Sequence, residues 1–453
     1  MSHHSPSAAL LTQAEKLLSF ARDAGASAAD ALAVQSAQTH VSCRLGVPED
    51  LERAESASLG LRVWVGDQVA SVSTTDTAED TLRRMAEQAV AMARLAPADP
   101  YATLAPEALL ATHIDTDALD LVDQGPMPSV AELQSQCIRL EETARGFAGI
   151  SNSEGASASA GDTSIAIVTS QGFAHYYRGT SFGLSGSVLA GEGTGMERDW
   201  GSSSARHRAD LETPEAVGTD AAERTLRRLN PRRVATCEVP VVFEWRVARS
   251  LLSTIATALS GSAVANGASF LRDSMGQKIF PESIHVTDDP LRPRGQASRP
   301  FDGEGVASKK LTLIEGGVLQ SWLLDSRTAL RLNLTTTGHA TRGMSGPPAP
   351  APTNLTLLPG TDSLEAMLAD IGTGLFVTDG FGGGANIVTG DFSQGVAGFW
   401  VENGVIAYPV SEITIAGKLS TMFANLQAAN DLLYRGRINS PSICVGRMTV
   451  AGS

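Results

Sequence analysis

The feature that most constrains the fold is a glycine-rich stretch between residues 372 and 419. It holds 11 of the chain's 44 glycines, set between β-branched and aromatic residues. Glycine inside a strand marks a bulge or the close approach of another backbone. This stretch must therefore form either closely packed extended segments or a loop whose backbone approaches a ligand.

Two interpretations compete for this stretch. Residues 380–385 follow an apolar segment and fit the GxGxxA form of a dinucleotide fingerprint, with Glu402 about twenty residues further on. That fingerprint must open a helix, whereas residues 386–391 are β-branched and interrupted by glycine. We therefore favour a run of short strands, with Asn403-Gly404 as a two-residue hairpin turn. The predicted strands are 396–402, 405–408 and 410–415.

The remaining pattern predicts an α+β protein. Residues 1–97 and 129–236 each read as helix, several strands, helix, which suggests a duplicated unit packing helices on an antiparallel sheet. Residues 98–128 form an acidic, proline-rich connection, and residues 237–453 a glycine-rich, strand-rich C-terminal domain with a few helices. The strands predicted in the two units are short: 31–34, 40–45, 59–65, 68–73, 147–153, 163–170, 172–178 and 181–189.

Local signals mark the helix starts. Thr77 is the predicted cap of a helix reaching Leu95. Ser129 and Glu132 form a capping-box pattern, and Thr213-Pro214 places proline at the first position of another helix. These signals give each of the two units its helices.

Charge and composition exclude several classes of function. The net charge is −14, so nucleic-acid binding would need a local basic patch. The five arginines between 224 and 233 read instead as a solvated helix end. The uncharged segment 250–271 is long enough to span a bilayer, but ten of its residues are Ser, Thr, Asn or Gly. Four distant cysteines without a CxxC pair, and no signal peptide, suit a cytoplasmic protein.

A family resemblance adds to this interpretation. The segments VTGDFSQGVAGFWVENG and YPVSEITIAGKL, at 388–404 and 408–419, resemble the C-terminal signature of the TldD/PmbA family, specifically its PmbA (TldE) branch. The resemblance extends along the chain in order, through SNSEGASASAG (151–161), MERDW (196–200), SFLRDSMGQKIFP (269–281), PFDGEGV (300–306), LQSWLLDS (319–326), TTGHA (336–340) and RMTVAG (447–452).

The resemblance implies a zinc peptidase in which a helix of the catalytic TldD branch carries HExxxH. The histidines hold the metal and the glutamate is the general base. The equivalent helix here, residues 250–260, contains neither histidine nor acid. We therefore predict no catalytic residues, no metal ligands and no cofactor in this chain, with zinc in a TldD-like partner. Apart from the adjacent His3 and His4, the eight histidines are not spaced as a ligand pair: His3, His4, His40, His113, His175, His207, His285 and His339.

The predicted role of this chain is to hold an extended, unfolded peptide on a glycine-lined strand edge. The candidate peptide-binding residues are Gly382, Gly383, Gly384, Asn386, Gly390, Asp391 and His339. Asp302 and Glu304 resemble paired carboxylates, although turn capping and ion pairing explain them more simply.

The leading hypothesis is a metal-free PmbA/TldE-like subunit of a cytoplasmic peptidase that degrades small or unfolded polypeptides and matures microcin-type precursors. The expected partners are a TldD-like zinc subunit and an unfolded peptide, with a homodimer possible in isolation and neither nucleic acid nor membrane involved. The alternatives are a homodimeric binding or regulatory protein and an independent hydrolase using His339 and a carboxylate.

Overall fold

The computed structural model describes residues 6–452. The α+β class is confirmed, with sheets in both halves of the chain. In the N-terminal half, short 3₁₀ turns occur at Glu107–Leu109, Gly193–Gly195 and Arg208–Asp210. The other elements of this half are α1 (Pro6–Asp23), β1 (Ala28–Arg44), β2 (Val47–Val65), β3 (Gln68–Thr74), α2 (Glu79–Leu95), α3 (Thr116–Leu119), α4 (Val130–Arg145), β4 (Ile150–Thr169), β5 (Ala174–Ala190), β6 (Glu197–Ala205) and α5 (Pro214–Arg227).

The N-terminal strands form one antiparallel sheet in the order β3-β2-β1-β4-β5-β6. Each half of this sheet is three consecutive strands, with one helix before them in the chain and one after them. The first strands of the two halves, β1 and β4, pair at the centre from Asp30 with Thr169 to Cys43 with Ala156. The two halves therefore form one continuous sheet.

Both helix pairs cover the same face of this sheet. Alternate residues of a strand face one side, and Ala31 and Ala33 of β1 pack in the α1–α2 core while Val41 and Cys43 pack against α4. Leu17 of α1 is fully buried in that layer. The opposite face is free of these four helices and is available to the C-terminal half of the chain.

The strand predictions were right in location and wrong in length. The segments 31–34 and 40–45 belong to the single strand β1, and the four segments between 147 and 189 form only β4 and β5. The stretches that join the predicted segments, QSAQT in β1 and EGASASAGD in β4, consist mainly of small and polar residues, which carry no strong strand signal. The hydrogen bonds of the neighbouring strands hold these stretches extended.

The C-terminal half holds thirteen strands and five helices among the described residues. In chain order they are β7 (Cys237–Phe243), α6 (Trp245–Ala258), α7 (Gly261–Ala265), β8 (Val286–Asp288), β9 (Leu311–Glu315), β10 (Val318–Leu319), α8 (Ser326–Arg331), β11 (Ala340–Thr341), β12 (Ala349–Pro350), β13 (Leu355–Leu357), α9 (Leu364–Ile371), β14 (Gly374–Asn386), β15 (Asp391–Glu402), β16 (Val405–Lys418), α10 (Leu419–Ala424), β17 (Gln427–Ala428), β18 (Ile438–Asn439) and β19 (Ile443–Ala451).

A small closed barrel organises this half. The sheet order is β16-β15-β14-β7-β19-β17, and an additional pairing between β16 and β19 joins the first strand to the fifth. Phe243, Leu375 and Ile415 contribute to the large core of this domain, to which α6 adds Leu251 and Ile255. The barrel and its packed helix form a rigid base for the glycine-rich strands.

No helix among residues 6–452 is long and apolar enough to cross a membrane. The segment 250–271, which has the length of a bilayer span, is instead divided between α6, α7 and the turn that follows them. Its apolar residues Leu251, Leu252 and Ile255 are buried in the domain core.

Candidate functional site

The glycine-rich stretch forms three antiparallel strands, β14 to β16, with one partly free edge. The Asn403-Gly404 turn between β15 and β16 has positive φ at both residues, 51° and 77°, as a type I′ hairpin turn requires. The first of the three strands, β14, pairs with β15 on one side. On its opposite side it pairs with β7, but only from Leu375 to Val377. From residue 379 to 386, the only strand that pairs with β14 in the described part of the chain is β15. A strand edge with free backbone groups is a site where an extended peptide can add.

The three predicted glycines lie in a bulge of this free edge. Gly382, Gly383 and Gly384 have φ of +55°, +62° and +133°, and the pairing register shifts between Phe381 and Gly383. A Cβ at Gly383 would lie 2.4 Å from the carbonyl oxygen of Ser393. The glycines are therefore required by the bulge itself, which interrupts the regular ladder pattern of the edge.

The other candidates of this stretch form the turn between β14 and β15. The Asn386 side chain accepts hydrogen bonds from the backbone N–H groups of Val388 and Thr389, and Asp391 is ion-paired with Lys418. Hydrogen bonding from Lys418 lowers the pKa of Asp391. Gly390 has a φ of +73° in the same turn. These residues hold the turn in shape beside the free edge.

His339 lies elsewhere and has no exposed surface. Its Nε2 is 3.0 Å from Oδ2 of Asp288, and its Nδ1 is 2.9 Å from the carbonyl oxygen of Thr337. Because both ring nitrogens are engaged inside the protein, this histidine cannot contact a peptide in this conformation. The inclusion of His339 in a peptide-binding surface is therefore not supported by the structure.

Asp302 and Glu304 are both buried, but they do not face a cleft. Asp302 caps a turn by accepting hydrogen bonds from the backbone N–H groups of Glu304, Val306 and Ala340. Glu304 accepts a hydrogen bond from the N–H of Ser326. The simpler explanation, turn capping, is confirmed for this pair.

Glu304 belongs to a buried charge cluster between the N-terminal sheet and the C-terminal domain. Asp30 of β1 bonds to Arg62 of β2 and lies 2.6 Å from Arg342, while Glu304 is 3.9 Å from Arg62. Burial would raise the pKa of Asp30, but the charges of Arg342 and Arg62 outweigh it and lower that pKa. Burial raises the pKa of Glu304 to about 8, and the nearby Asp302 carboxylate adds to the shift. Protonation of Glu304 near neutral pH is therefore favoured, and burial raises the pKa of the neighbouring Asp302 as well.

The residues of α6 do not fit a zinc ion. Its sequence is WRVARSLLSTIATA, which offers no histidine, cysteine or carboxylate. Within residues 6–452 no three such side chains lie close enough together to hold a metal. Cys444 is buried in β19, and burial raises the pKa of its thiol.

Ion pairs fix α6 against the edge strand β6. Arg246, in the first turn of α6, bonds to Oδ1 of Asp199 at 2.8 Å, and Arg228 lies 3.4 Å from Oδ2 of the same carboxylate. Arg228 also reaches Asp379 of β14 at 3.0 Å. The interpretation of 224–233 as a solvated helix end is wrong for Arg228, whose side chain is only 12% exposed. These contacts join β6, α6 and the glycine-rich strands in one place.

A cleft of about 400 Å³ opens beside this junction, and we call it the arginine cleft. It lies between the open face of β6, the exposed face of α6 and the loop before β18. Its charged lining residues are Arg249, Arg435 and Arg437, and its polar residues include Ser202, Ser204, Ser250 and Ser253. Trp200, which is 41% exposed, forms one side.

Sequence reasoning missed the arginine cleft because its residues come from distant segments. Trp200 lies in the MERDW motif, Arg249 directly precedes the segment 250–260, and Arg435 and Arg437 lie in YRGRIN. No spacing rule connects the three segments. The available signal was the alternation of arginine with glycine after Tyr434 in an otherwise acidic protein.

Comparison with known proteins gives a consistent result along the chain. Residues 29–93, 124–229 and 236–452 match the PmbA/TldA metallopeptidase domain 1, central domain and C-terminal domain. The Escherichia coli O157:H7 metalloprotease PmbA is 38% identical over 414 residues, covering 91% of this chain and 89% of the relative. A Haemophilus influenzae metalloprotease PmbA homologue is 36% identical, covering 96% and 94%.

Solved structures agree. A proposed modulator of DNA gyrase from Bacteroides thetaiotaomicron has a TM-score of 0.89 at 26% identity, covering 99% of this chain and 100% of that one. TldE from Thermococcus kodakarensis, at 19% identity, shares the fold with a TM-score of 0.83 over 97% of this chain and 100% of its own. Sequence matches over three consecutive domains and a shared fold over nearly the whole length lead to one assignment. The chain belongs to the PmbA/TldD metallopeptidase family, in its PmbA branch.

Proposed function

We propose that this chain is the peptide-holding, metal-free subunit of a cytoplasmic PmbA/TldD-type zinc peptidase. In this proposal a TldD-like partner carries HExxxH, binds zinc and supplies the water that cleaves the peptide bond. The substrates are small or unfolded polypeptides, including precursors of the microcin type. This chain supplies part of the wall around the substrate.

The donor chemistry of α6 carries the proposal. A catalytic zinc site needs three protein ligands and one open position, and the helix expected to carry HExxxH instead presents Ser250, Ser253 and Thr254 on its outer face. Hydroxyl groups in this arrangement can bond to a peptide but do not replace imidazole as zinc ligands. Membership of a metallopeptidase family together with this helix supports a division of labour between two subunits.

The free edge of β14 supports the substrate class. Residues 379–386 have no ladder partner on their outer side among the described residues, and Phe381 is 49% exposed there. Main-chain pairing selects for extended backbone and depends little on side-chain identity. Such an edge favours unfolded polypeptides over folded proteins.

The test combines metal analysis with a hydrolysis assay. The purified chain is analysed for zinc and incubated with casein, alone and after mixing with a TldD-like protein from the same organism. We expect substoichiometric zinc in the isolated chain and hydrolysis only in the mixture. A partner in which the HExxxH glutamate is replaced by glutamine is the matched control and should abolish hydrolysis.

Two other outcomes would contradict the proposal. Stoichiometric zinc with casein hydrolysis by the isolated chain would make it an independent hydrolase. Absence of hydrolysis in every mixture would favour the alternative of a homodimeric binding or regulatory protein of the same fold.

A further inference from the structure

The arginine cleft contains cationic charge that the protein itself does not neutralise. Its lining, as far as the described residues form it, includes three arginines and no carboxylate, although the chain as a whole has a net charge of −14. Arg249 forms no ion pair with any described residue, and its guanidinium lies 5.5 Å from the ring centroid of Trp245. A local positive field in an acidic protein attracts anionic ligands.

Arg246, another arginine of α6, differs from Arg249 in its ion pairs. Arg246, three residues before Arg249, is paired with both Asp199 and Asp220. Burial lowers the pKa of Arg249, and the charge of Arg246 lowers it further. An anion bound beside Arg249 would offset both the cost of burying its charge and the repulsion by Arg246. Arg246 itself is already neutralised by Asp199 and Asp220.

Arg435 and Arg437 approach from the opposite wall. Arg435 is paired with Glu212 through one terminal nitrogen at 3.3 Å, while its Nε is buried without a hydrogen-bond partner. Within residues 6–452, the Arg437 side chain donates only to the carbonyl oxygen of Pro352. A Cβ built on Gly436, between them, would lie 3.9 Å from a terminal nitrogen of Arg249, so the loop that carries Arg437 lies beside Arg249.

The remaining lining suits a peptide. Ser202 and Ser204 of β6, with Ser250 and Ser253 of α6, offer hydroxyl groups that can donate to or accept from main-chain groups. Arg246 stacks on Trp200 at 4.1 Å, which holds this exposed ring in place beside the cleft. The volume of about 400 Å³ is that of a small-ligand pocket and is too small for a nucleic-acid duplex.

We propose that the arginine cleft binds a carboxylate of the peptide substrate, with Arg249 and Arg437 as donors to its oxygens and Trp200 beside the adjoining residue. A guanidinium presents paired N–H donors that match the two carboxylate oxygens. The carboxylate is either the C-terminus of the peptide or an acidic side chain. This inference rests on the proposed peptide-holding function and names a substrate feature that the function does not itself specify.

The test is calorimetric titration of the full-length chain with three acetylated hexapeptides based on (Gly-Ser-Ala)₂. The first has a free C-terminal carboxylate, the second a C-terminal amide, and the third is the amide with aspartate as its fifth residue. We expect the neutral amide to bind about tenfold more weakly than a carboxylate peptide, because a charge-assisted hydrogen bond is lost. Preference for the first peptide assigns the C-terminus, and preference for the third assigns an acidic side chain.

Single substitutions inside and outside the cleft show which residues cause the preference for a carboxylate peptide. Arg249→Gln and Arg437→Gln should each remove the carboxylate preference, and Arg249→Lys should retain part of it. Arg272→Gln, which changes an exposed arginine outside the cleft, should leave the preference unchanged. Thermal unfolding of each variant shows whether the fold is retained; a loss of preference in Arg437→Gln, which lies on an exposed loop, is sufficient support if Arg249→Gln fails to fold.

Equal binding of the acid and amide peptides, or no binding of any of them at millimolar concentration, would overturn the inference. Displacement of the carboxylate peptide by a short DNA duplex would also overturn it. The assay needs no hydrolysis, so a carboxylate preference without peptidase activity in any mixture would refute the proposed function and leave the cleft assigned. Hydrolysis in the mixture with no carboxylate preference would support the proposed function and refute the assignment of the cleft.

Discussion

Replacement of Glu304 by glutamine should change how the stability of the protein depends on pH. The ordinary pKa of this carboxyl is 4.5, and burial, aided by the Asp302 charge, raises it to about 8 in the folded protein. Between these values the folded state binds one proton more than the unfolded state. The contribution of Glu304 to the free energy of unfolding is therefore fully present below pH 4.5 and is lost as the pH rises towards 8.

The magnitude follows from the size of the shift. One pKa unit corresponds to about 1.4 kcal/mol. The free energy of unfolding therefore changes by about 5 kcal/mol over the whole interval between the two pKa values, and by about 3 kcal/mol from pH 5.5 to 7.5. Glutamine at position 304 keeps an oxygen to accept from Ser326 N–H and has no proton to lose. The Glu304→Gln variant should therefore gain about 3 kcal/mol relative to the wild type over those two pH units.

Urea unfolding followed by circular dichroism at pH 5.5, 6.5 and 7.5 measures this difference. Glu282→Gln, which removes an exposed carboxyl, is the control and should follow the wild type at every pH. A constant difference between Glu304→Gln and the wild type would refute the reasoning. A loss of about 3 to 5 kcal/mol at every pH would show instead that Glu304 is ionised and paired with Arg62.

Three further predictions concern other parts of the fold. Asp30→Asn should cost about 3 to 5 kcal/mol in urea unfolding because two buried arginines lose their shared partner, whereas the exposed Glu55→Gln should cost less than about 1 kcal/mol. Gly383→Ala should lower stability by about 1 to 3 kcal/mol, since its positive φ and the contact with a carbonyl oxygen both oppose a Cβ; Gly343→Ala, with open space around it, is the matched control. Cys137, whose pKa burial raises to about 12, should stay unreactive towards a disulfide reagent at pH 8 until the protein unfolds; labelling in the native state would contradict its burial.

Much of the fold could be predicted because local rules act within short segments. The capping box of Ser129 and Glu132 is present, Thr213 caps α5 ahead of its proline, and the hairpin turn at Asn403-Gly404 formed as expected. Thr77 was the wrong cap: the N-cap residue of α2 is Ala78, and no side chain of the described residues caps the helix. Asp76 accepts a hydrogen bond from the N–H of Ala78, just before the helix begins. The Asp76 carboxylate also accepts a hydrogen bond from the Thr81 hydroxyl, so it holds the segment before α2 in place without capping the helix.

The candidate site could be predicted only in part, because tertiary contacts decide what the glycines and charges do. The strands of the glycine-rich stretch followed from its β-branched residues, but the bulge at Gly383 depends on a carbonyl oxygen of β15. The arginine cleft depends on Asp199 drawing Arg246 to β6, a contact between residues in different halves of the chain. Peptide binding at the glycine-rich edge stays a prediction.

Closure of the C-terminal barrel has a consequence for how the protein is made. β7 lies between β14 and β19, where Val242 pairs with Phe376 on one side and Cys444 on the other. A ribosome that has just produced β7 must add more than a hundred residues before either neighbour exists, so both edges of this apolar strand stay unpaired during much of translation. Non-local pairing of this kind folds slowly and exposes aggregation-prone edges, which makes the nascent C-terminal domain a natural client for a molecular chaperone.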